Sequence, residues 1–154
     1  MVPSPFFFVG LFLFAVFPTP EFSAAGLIHD SDAYSVVLIL HDTYADFSEI
    51  SGEVARYNNR SYSTDRPRTR RFQLNDPTGK RRIVYVGDFS DLSNATRYCA
   101  ELVEQRPDFM REGLVQQIFP ISNRNLSRLS ESGLSEYLKR HHERGDFIYE
   151  SSKR

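Results

Sequence analysis

The most informative run of this sequence reads Ile83-Val84-Tyr85-Val86-Gly87-Asp88-Phe89. A cap at Ser90 or Asp91 follows it, and then come apolar residues at helical spacing: Leu92, Ala95, Cys99 and Leu102. The period of the apolar residues changes from about 2 to about 3.6 across the cap, and Gly87 is expected to supply backbone freedom for the corner. The run therefore predicts a strand that leads directly into an amphipathic helix from Leu92 to about Gln105, which Pro107 ends.

A second strand-to-helix unit lies upstream. The segment Tyr34–Leu40 is almost continuously apolar and rich in β-branched residues, which predicts a central strand. His41-Asp42-Thr43 offers capping side chains for a helix with an apolar face at Phe47, Ile50, Val54 and Tyr57. Asn58-Asn59 is expected to end this helix, because asparagine tolerates the left-handed conformation at a helix C-terminus.

A hairpin is predicted between the two units. The run Asn75-Asp76-Pro77-Thr78-Gly79 concentrates residue types that reverse a chain, so a strand at 70–74 should pair antiparallel with the strand at 83–89. A fourth strand is predicted at 114–121. The tail has approximately helical spacing and predicts a short helix, a break near Ser132-Gly133, a second helix to about Gly145, and frayed residues after Tyr149.

This order of elements predicts an α+β fold. A split pair of strand-helix-strand units forms a ferredoxin-like βαββαβ sandwich, in which two helices pack on one face of a four-stranded antiparallel sheet, here with an extra C-terminal helical tail. A doubly wound parallel sheet would need a crossover helix where the sequence has only a tight turn. The chain of 154 residues suits one globular domain, which we place at 33–149.

Residues 1–25 differ from the rest of the chain. Phe6–Phe17 is an uncharged apolar run, too short to span a bilayer comfortably but of the right length for a signal-peptide core. Small residues at 23–25 predict cleavage after Ala25. Because no Lys or Arg precedes the run, an uncleaved amphiphilic anchor and a mis-started or truncated reading frame stay open as alternatives.

The composition excludes several classes of protein. A net charge of -1 and a pI near 6.4 give no overall attraction to nucleic acid or anionic membranes. The single cysteine, Cys99, excludes an intrachain disulfide and a Cys-rich zinc site, and its place on the apolar stripe predicts a buried, inert thiol. The four histidines are not at metal-binding spacing, and no catalytic or nucleotide-binding motif occurs, so no metal, cofactor or enzymatic activity is predicted.

The run Val84-Tyr85-Val86-Gly87-Asp88-Phe89, with Asn94-Ala95 and Leu102 after it, resembles the Val-x-Val-Gly-x-Phe, Asn-Ala and Leu signature of SPOR-like domains. These sporulation-related modules bind peptidoglycan glycan strands in bacterial envelopes. The resemblance covers about 34–121. It implies an exported, non-catalytic module of the periplasm or cell envelope that binds glycan or an envelope protein.

A narrower similarity concerns three short segments, Leu74-Asn75-Asp76, Phe119-Pro120-Ile121-Ser122-Asn123-Arg124-Asn125 and Glu136-Tyr137-Leu138. They resemble the C-terminal domain that follows tetratricopeptide repeats in envelope proteins of Bacteroidetes, some of which serve gliding motility and type IX secretion. This chain has neither a repeat region nor a lipidation cysteine, which favours a detached exported domain or a fragment. The alternative function is then a structural or docking domain of such an apparatus, without glycan binding.

The sheet face opposite the helices is the candidate binding surface. Val84 and Val86 should point to the helices, which leaves the alternate residues of that strand on the open side. The candidate residues are Ile83 and Tyr85, joined by Gln116 or Gln117 and by Arg70 or Arg71, since alternation in the other strands does not fix which of each pair faces this side. An aromatic ring with amide and guanidinium donors at its rim suits a wide, polar ligand such as a glycan. The alternative is that the helix at 134–141 packs across this face and buries Tyr85.

Seven positive charges gather at the ends of the hairpin arms: Arg66, Arg68, Arg70, Arg71, Lys80, Arg81 and Arg82. Such a patch suits a phosphate-bearing polymer or an acidic partner. Alternatively, the charges belong to a solvated loop and an edge strand that they keep from pairing with other chains. A nucleic-acid partner is not expected, because stacking aromatic residues are not interleaved with the charges.

Overall fold

The computed structural model describes residues 33–41, 46–62, 64, 66–76, 79–129, 131–146 and 148–151. The predictions for residues 1–25, for Asp42-Thr43 and for His29 lie outside this part of the chain. The elements are β1 Tyr34–Leu40, α1 Phe47–Ser61, β2 Arg68–Asp76, β3 Gly79–Phe89, α2 Leu92–Gln105, α3 Asp108–Arg111, β4 Val115–Ser122, α4 Asn123–Leu126, α5 Glu131–Arg144 and β5 Tyr149–Glu150.

The strands form one antiparallel sheet in the order β2-β3-β1-β4-β5, which confirms the α+β class. The predicted number of four strands was wrong, because β5 adds a fifth beside β4. The expectation of fraying after Tyr149 was also wrong for the next two residues. Glu150 lies opposite Gln117, and the backbone N–H of Ser151 donates to the carbonyl of Gln116 at 2.9 Å.

The hairpin and the second helix were predicted correctly. β2 and β3 pair continuously from Arg68 opposite Gly87 to Asp76 opposite Gly79. The helix α2 spans the predicted residues, and its first turn is capped by the carboxylate of Asp91, which accepts from the backbone N–H of Asn94 at 2.8 Å. This hydrogen bond, together with one from the Ser90 hydroxyl, lowers the pKa of Asp91, because both favour the ionised carboxylate.

Gly87 has a role other than the predicted corner. It lies inside β3, and the described glycines with positive φ are Gly113 and Gly145. A Cβ atom at Gly87 would lie 2.6 Å from the Oγ atom of Ser35, far closer than real Cβ atoms come to a neighbour. The glycine therefore permits a close approach between β3 and β1.

One face of the sheet packs against α1 and α2. The buried core there takes alternate residues from β1 and β3, and Val84 and Val86 point to these helices as predicted. The buried helix side chains of this core include Ile50, Val54 and Leu102. Cys99 is buried in the same layer, and burial raises the pKa of its thiol, in agreement with an inert cysteine.

The ends of α1 differ from the prediction. Its N-cap is Asp46, whose carboxylate accepts from the N–H of Ser48 at 2.8 Å. Asn58 does not end the helix, because α1 continues to Ser61. Instead, the Asn58 side chain is buried, and its Oδ1 atom accepts a 2.7 Å hydrogen bond from the hydroxyl of Tyr98. The hydrogen-bonding need of a buried tyrosine overrides the turn preference of asparagine here.

The second face of the sheet is covered by α4 and α5. Leu134 of α5 is fully buried with Val37, Ile39 and Phe119, and Tyr137 donates from its hydroxyl to the carbonyl of Pro120 at 2.9 Å. The break between the tail helices lies before Glu131, so Ser132-Gly133 belongs to α5 rather than to the break. The four-residue helix α3 was not predicted. The alternative of a covered face is therefore correct for β1, β4 and Ile83 of β3, but Tyr85 is only half-buried.

Candidate functional site

A cleft of about 440 Å³ remains on the second face, between the β2–β3 hairpin and α4. Its residues come from strands and from the turn after β4: Ser35, Arg70, Phe72, Leu74, Tyr85, Asp88, Asn123, Leu126, Ser127 and Leu129. The sheet places the hairpin residues in the cleft because β2 and β3 pair with Arg70 opposite Tyr85 and Phe72 opposite Ile83. Directly opposed residues of an antiparallel pair share a face.

Two aromatic rings form one wall of the cleft. The rings of Phe72 and Tyr85 lie edge to face, with centroids 5.8 Å apart and planes at 66°. Both side chains are half-buried, so each keeps part of its surface open to solvent. An edge-to-face pair fixes the orientation of both rings, and it presents a rigid apolar wall to a ligand.

Hydrogen bonds form the polar rim of the cleft. The hydroxyl of Ser35 donates to the Asn123 Oδ1 atom at 2.6 Å, and the Asn123 Nδ2 atom donates to the carboxylate of Asp88 at 3.2 Å. Arg70, which is exposed, is hydrogen-bonded to Tyr85, and this contact raises the pKa of its guanidinium. The rim thus carries one cation and one anion, with amide and hydroxyl groups beside the aromatic wall.

The six predicted surface residues do not form one site. Tyr85 and Arg70 meet in the cleft, but Ile83 is fully buried beneath α5 and has no surface for a ligand. Arg71 lies on the other face, where its guanidinium is 5.7 Å from the ring of Phe47. It points there because successive residues of a strand alternate between faces.

Gln116 and Gln117 lie away from the cleft, at the opposite end of the sheet. Both are in β4, which β1 separates from the β3 strand of the cleft. The side-chain amide of Gln117 donates to the carboxylate of Glu150 at 2.8 Å. Gln116 accepts the backbone N–H of Ser151 through its carbonyl. Both glutamines therefore serve the contact between β4 and β5.

The predicted basic patch is also divided. Arg68 and Arg70 lie on the cleft side of the hairpin. Arg71 lies opposite Val84, and Arg82 lies opposite Gln73. Because side chains alternate along a strand, both of these pairs are on the α1 side. Arg81 and Arg82 both take part in interactions with other groups. Arg66 precedes β2, and the side chain of Lys80 lies outside the described part. The side chains of this patch that the structure describes therefore do not make one surface.

Sequence reasoning missed Phe72, Asp88 and Asn123. Strand alternation offered a signal for Phe72, because the hairpin register follows from the turn at 75–79. Asp88 and Asn123 are 35 residues apart in sequence, and only the folded sheet brings them together.

Two histidines have specific partners outside the cleft. The Nδ1 atom of His141 is 2.8 Å from the Asp146 carboxylate, and its ring packs on Tyr137 with centroids 4.0 Å apart. The Nε2 atom of His41 is 2.9 Å from the hydroxyl of Ser151. Among the described residues, no group of three or more His, Cys, Asp or Glu side chains is placed to bind a metal ion.

The comparisons with known proteins found no matching family model, no similar curated protein and no similar solved structure. In the described ranges, every helix is too short or too polar to cross a bilayer.

Proposed function

We propose that this chain is a non-catalytic binding module of the cell envelope, which binds a glycan in the cleft beside Tyr85. The observation that carries this proposal is the wall formed by Phe72 and Tyr85 next to the polar rim. Apolar C–H faces of sugar rings pack on aromatic rings, and their hydroxyls need donors and acceptors at the edge. Arg70, Asp88 and Asn123 supply both kinds of group.

The proposed architecture is ferredoxin-like and of the SPOR type. The order β2-β3-β1-β4, with α1 and α2 on one face, supports it, and β5, α4 and α5 are additions to that frame. The export-like segment at 1–25 and the run Val84–Phe89 favour a place in the periplasm or envelope and, among envelope glycans, peptidoglycan.

The second candidate is a docking domain of a secretion or gliding apparatus that binds protein and no glycan. It is favoured by α5, which covers β1, β4 and Ile83 of β3 and leaves a short cleft in place of a full platform. A folded partner would then contact the helical surface and the outer hairpin arm.

A pull-down of the full chain with purified peptidoglycan separates the two candidates. Arg70→Gln and Tyr85→Ala should both reduce retention, Tyr85→Ala by about fivefold, because a stacked ring contributes about 1 kcal/mol. The matched control is Arg71→Gln, which removes the same charge from the other face and should leave retention unchanged. Circular dichroism checks that each variant is folded.

Absent retention of the unmodified chain, or equal retention of Tyr85→Ala and Arg71→Gln, would remove the glycan proposal. The docking domain would then be the better description.

A further inference from the structure

A second cleft, of about 610 Å³, lies on the helical side of the molecule. It is formed by the C-terminal half of α1, the end of α2 and the short helix α3. Four arginines line it: Arg56, Arg60, Arg106 and Arg111. They converge from three segments, so they surround a compact space instead of forming a stripe along one helix.

Two of these arginines are paired within the cleft and two are not. Arg56 lies 3.6 Å from the carboxylate of Glu53, and Arg111 is paired with Asp108. Among the residues that the structure describes, the guanidinium groups of Arg60 and Arg106 have no hydrogen-bond or ion-pair partner. The cleft therefore has a surplus of two positive charges, from four arginines and two carboxylates.

The floor and the edge of the cleft are fixed by the fold. The hydroxyl of Tyr57 donates to the Oε1 atom of Gln105 at 2.9 Å, and its ring contacts Phe109 edge to face. Arg106 is the C-cap of α2 in the left-handed conformation, with φ of 46°, and Pro107 follows it. The turn after α2 thus places Arg106 at the mouth of the cleft.

We propose that this cleft binds a phosphate group, held by Arg60 and Arg106. A phosphate monoester carries a charge of about -1.5 to -2 at neutral pH, which matches the two unpaired cations. The planar forks of arginine each donate two parallel hydrogen bonds to phosphate oxygens. An acidic peptide fits less well, because an extended chain needs a row of cations in place of a compact cluster.

Isothermal titration calorimetry on the full chain tests the proposal with four probes: inorganic phosphate, glucose 6-phosphate, glucose and a hexaglutamate peptide. At least one phosphate probe should bind, and glucose should not. Stronger binding of glucose 6-phosphate identifies an ester as the natural source, and equal binding identifies free phosphate. The combined variant Arg60→Gln with Arg106→Asn should weaken binding at least about tenfold, because two charge-assisted contacts are lost. Asparagine tolerates the left-handed backbone at 106.

The control variant is Arg97→Gln with Arg124→Gln, which removes two exposed arginines outside this cleft and should bind phosphate as the unmodified chain does. The proposal is overturned if neither phosphate probe binds, or if the two double variants bind equally. Binding of the hexaglutamate peptide without binding of either phosphate probe would overturn it in favour of an acidic polypeptide partner.

Discussion

Asn58 links three elements through one buried side chain. Its amide accepts from Tyr98 of α2 and donates to the Thr69 hydroxyl of β2 at 3.0 Å, while its backbone belongs to α1. Buried polar groups are costly without partners, so each of these groups depends on the others. Burial also raises the pKa of Tyr98 well above its usual value, which keeps its hydroxyl protonated as the donor.

Replacing Asn58 should therefore destabilise the protein. Asn58→Ala leaves the buried Tyr98 hydroxyl without an acceptor and should lower the free energy of unfolding by about 2 kcal/mol. Urea unfolding, followed by circular dichroism, measures the change. Asn59→Ala alters the next residue, which is exposed, and should stay within about 0.5 kcal/mol of the unmodified chain. Similar losses in both variants would contradict the role of Asn58.

The close approach at Gly87 makes a second prediction. Gly87→Ala brings a methyl group against the Ser35 hydroxyl and should cost about 1–3 kcal/mol of stability. Adding Ser35→Ala should recover part of the loss, because the nearest remaining side-chain atom, the Cβ of residue 35, is 3.6 Å away. Thermal unfolding of the single and double variants provides the measurement.

Gly52→Ala is the matched control for this test. Nothing lies within 4 Å of a Cβ atom at Gly52, which is inside α1, so alanine there should be neutral or stabilising by up to about 1 kcal/mol. If Gly87→Ala is as stable as Gly52→Ala, steric contact is not the reason for glycine in β3.

At the scale of elements, α5 packs on the sheet near its N-terminal end and carries the titratable His141 near its C-terminal end. Leu134 anchors its first turn in the second core, and Tyr137 and His141 lie one turn apart with their rings in tilted contact. The charged groups around His141 are Asp146, which favours protonation, and Arg144, which opposes it. Burial is the largest influence, and it lowers the pKa of His141 below the ordinary value of 6.5.

The stability of the protein should consequently fall on mild acidification. The unfolded chain takes up a proton at His141 near pH 6.5, before the folded chain does, so protons favour unfolding. The loss starts as the pH falls through about 6.5 and stops below the pKa of the folded state. Melting temperatures measured from about pH 7.5 to about pH 5 should show this decrease.

The histidine variants assign the pH effect to one ring. His141→Gln should remove part of the decrease, whereas His142→Gln, which changes the exposed neighbour, should leave it intact. An increase in melting temperature on acidification would mean that the Asp146 ion pair outweighs burial, contrary to this expectation.

At the scale of the whole molecule, elements encoded in one short run of sequence could be predicted, whereas contacts between residues far apart in the chain could not. The run at 83–105 contains its own strand, cap and helix pattern, and the turn at 75–79 sets the hairpin. By contrast, β5 has two residues and α3 has four, too few to show a period. The cleft depends on Asn123 reaching Asp88 across the sheet, which no spacing in the sequence indicates.

The two edges of the sheet differ in whether a strand of another molecule could pair with them. Beside β4, the two-residue β5 is a poor template, and Pro120 lacks the N–H that a further strand would need. At the opposite edge of the sheet, β2 is an edge strand of nine residues. If β2 of one molecule paired with β2 of a second copy, the β2 edge of both molecules would be covered. Such pairing ends with a two-fold dimer and does not propagate into a fibril.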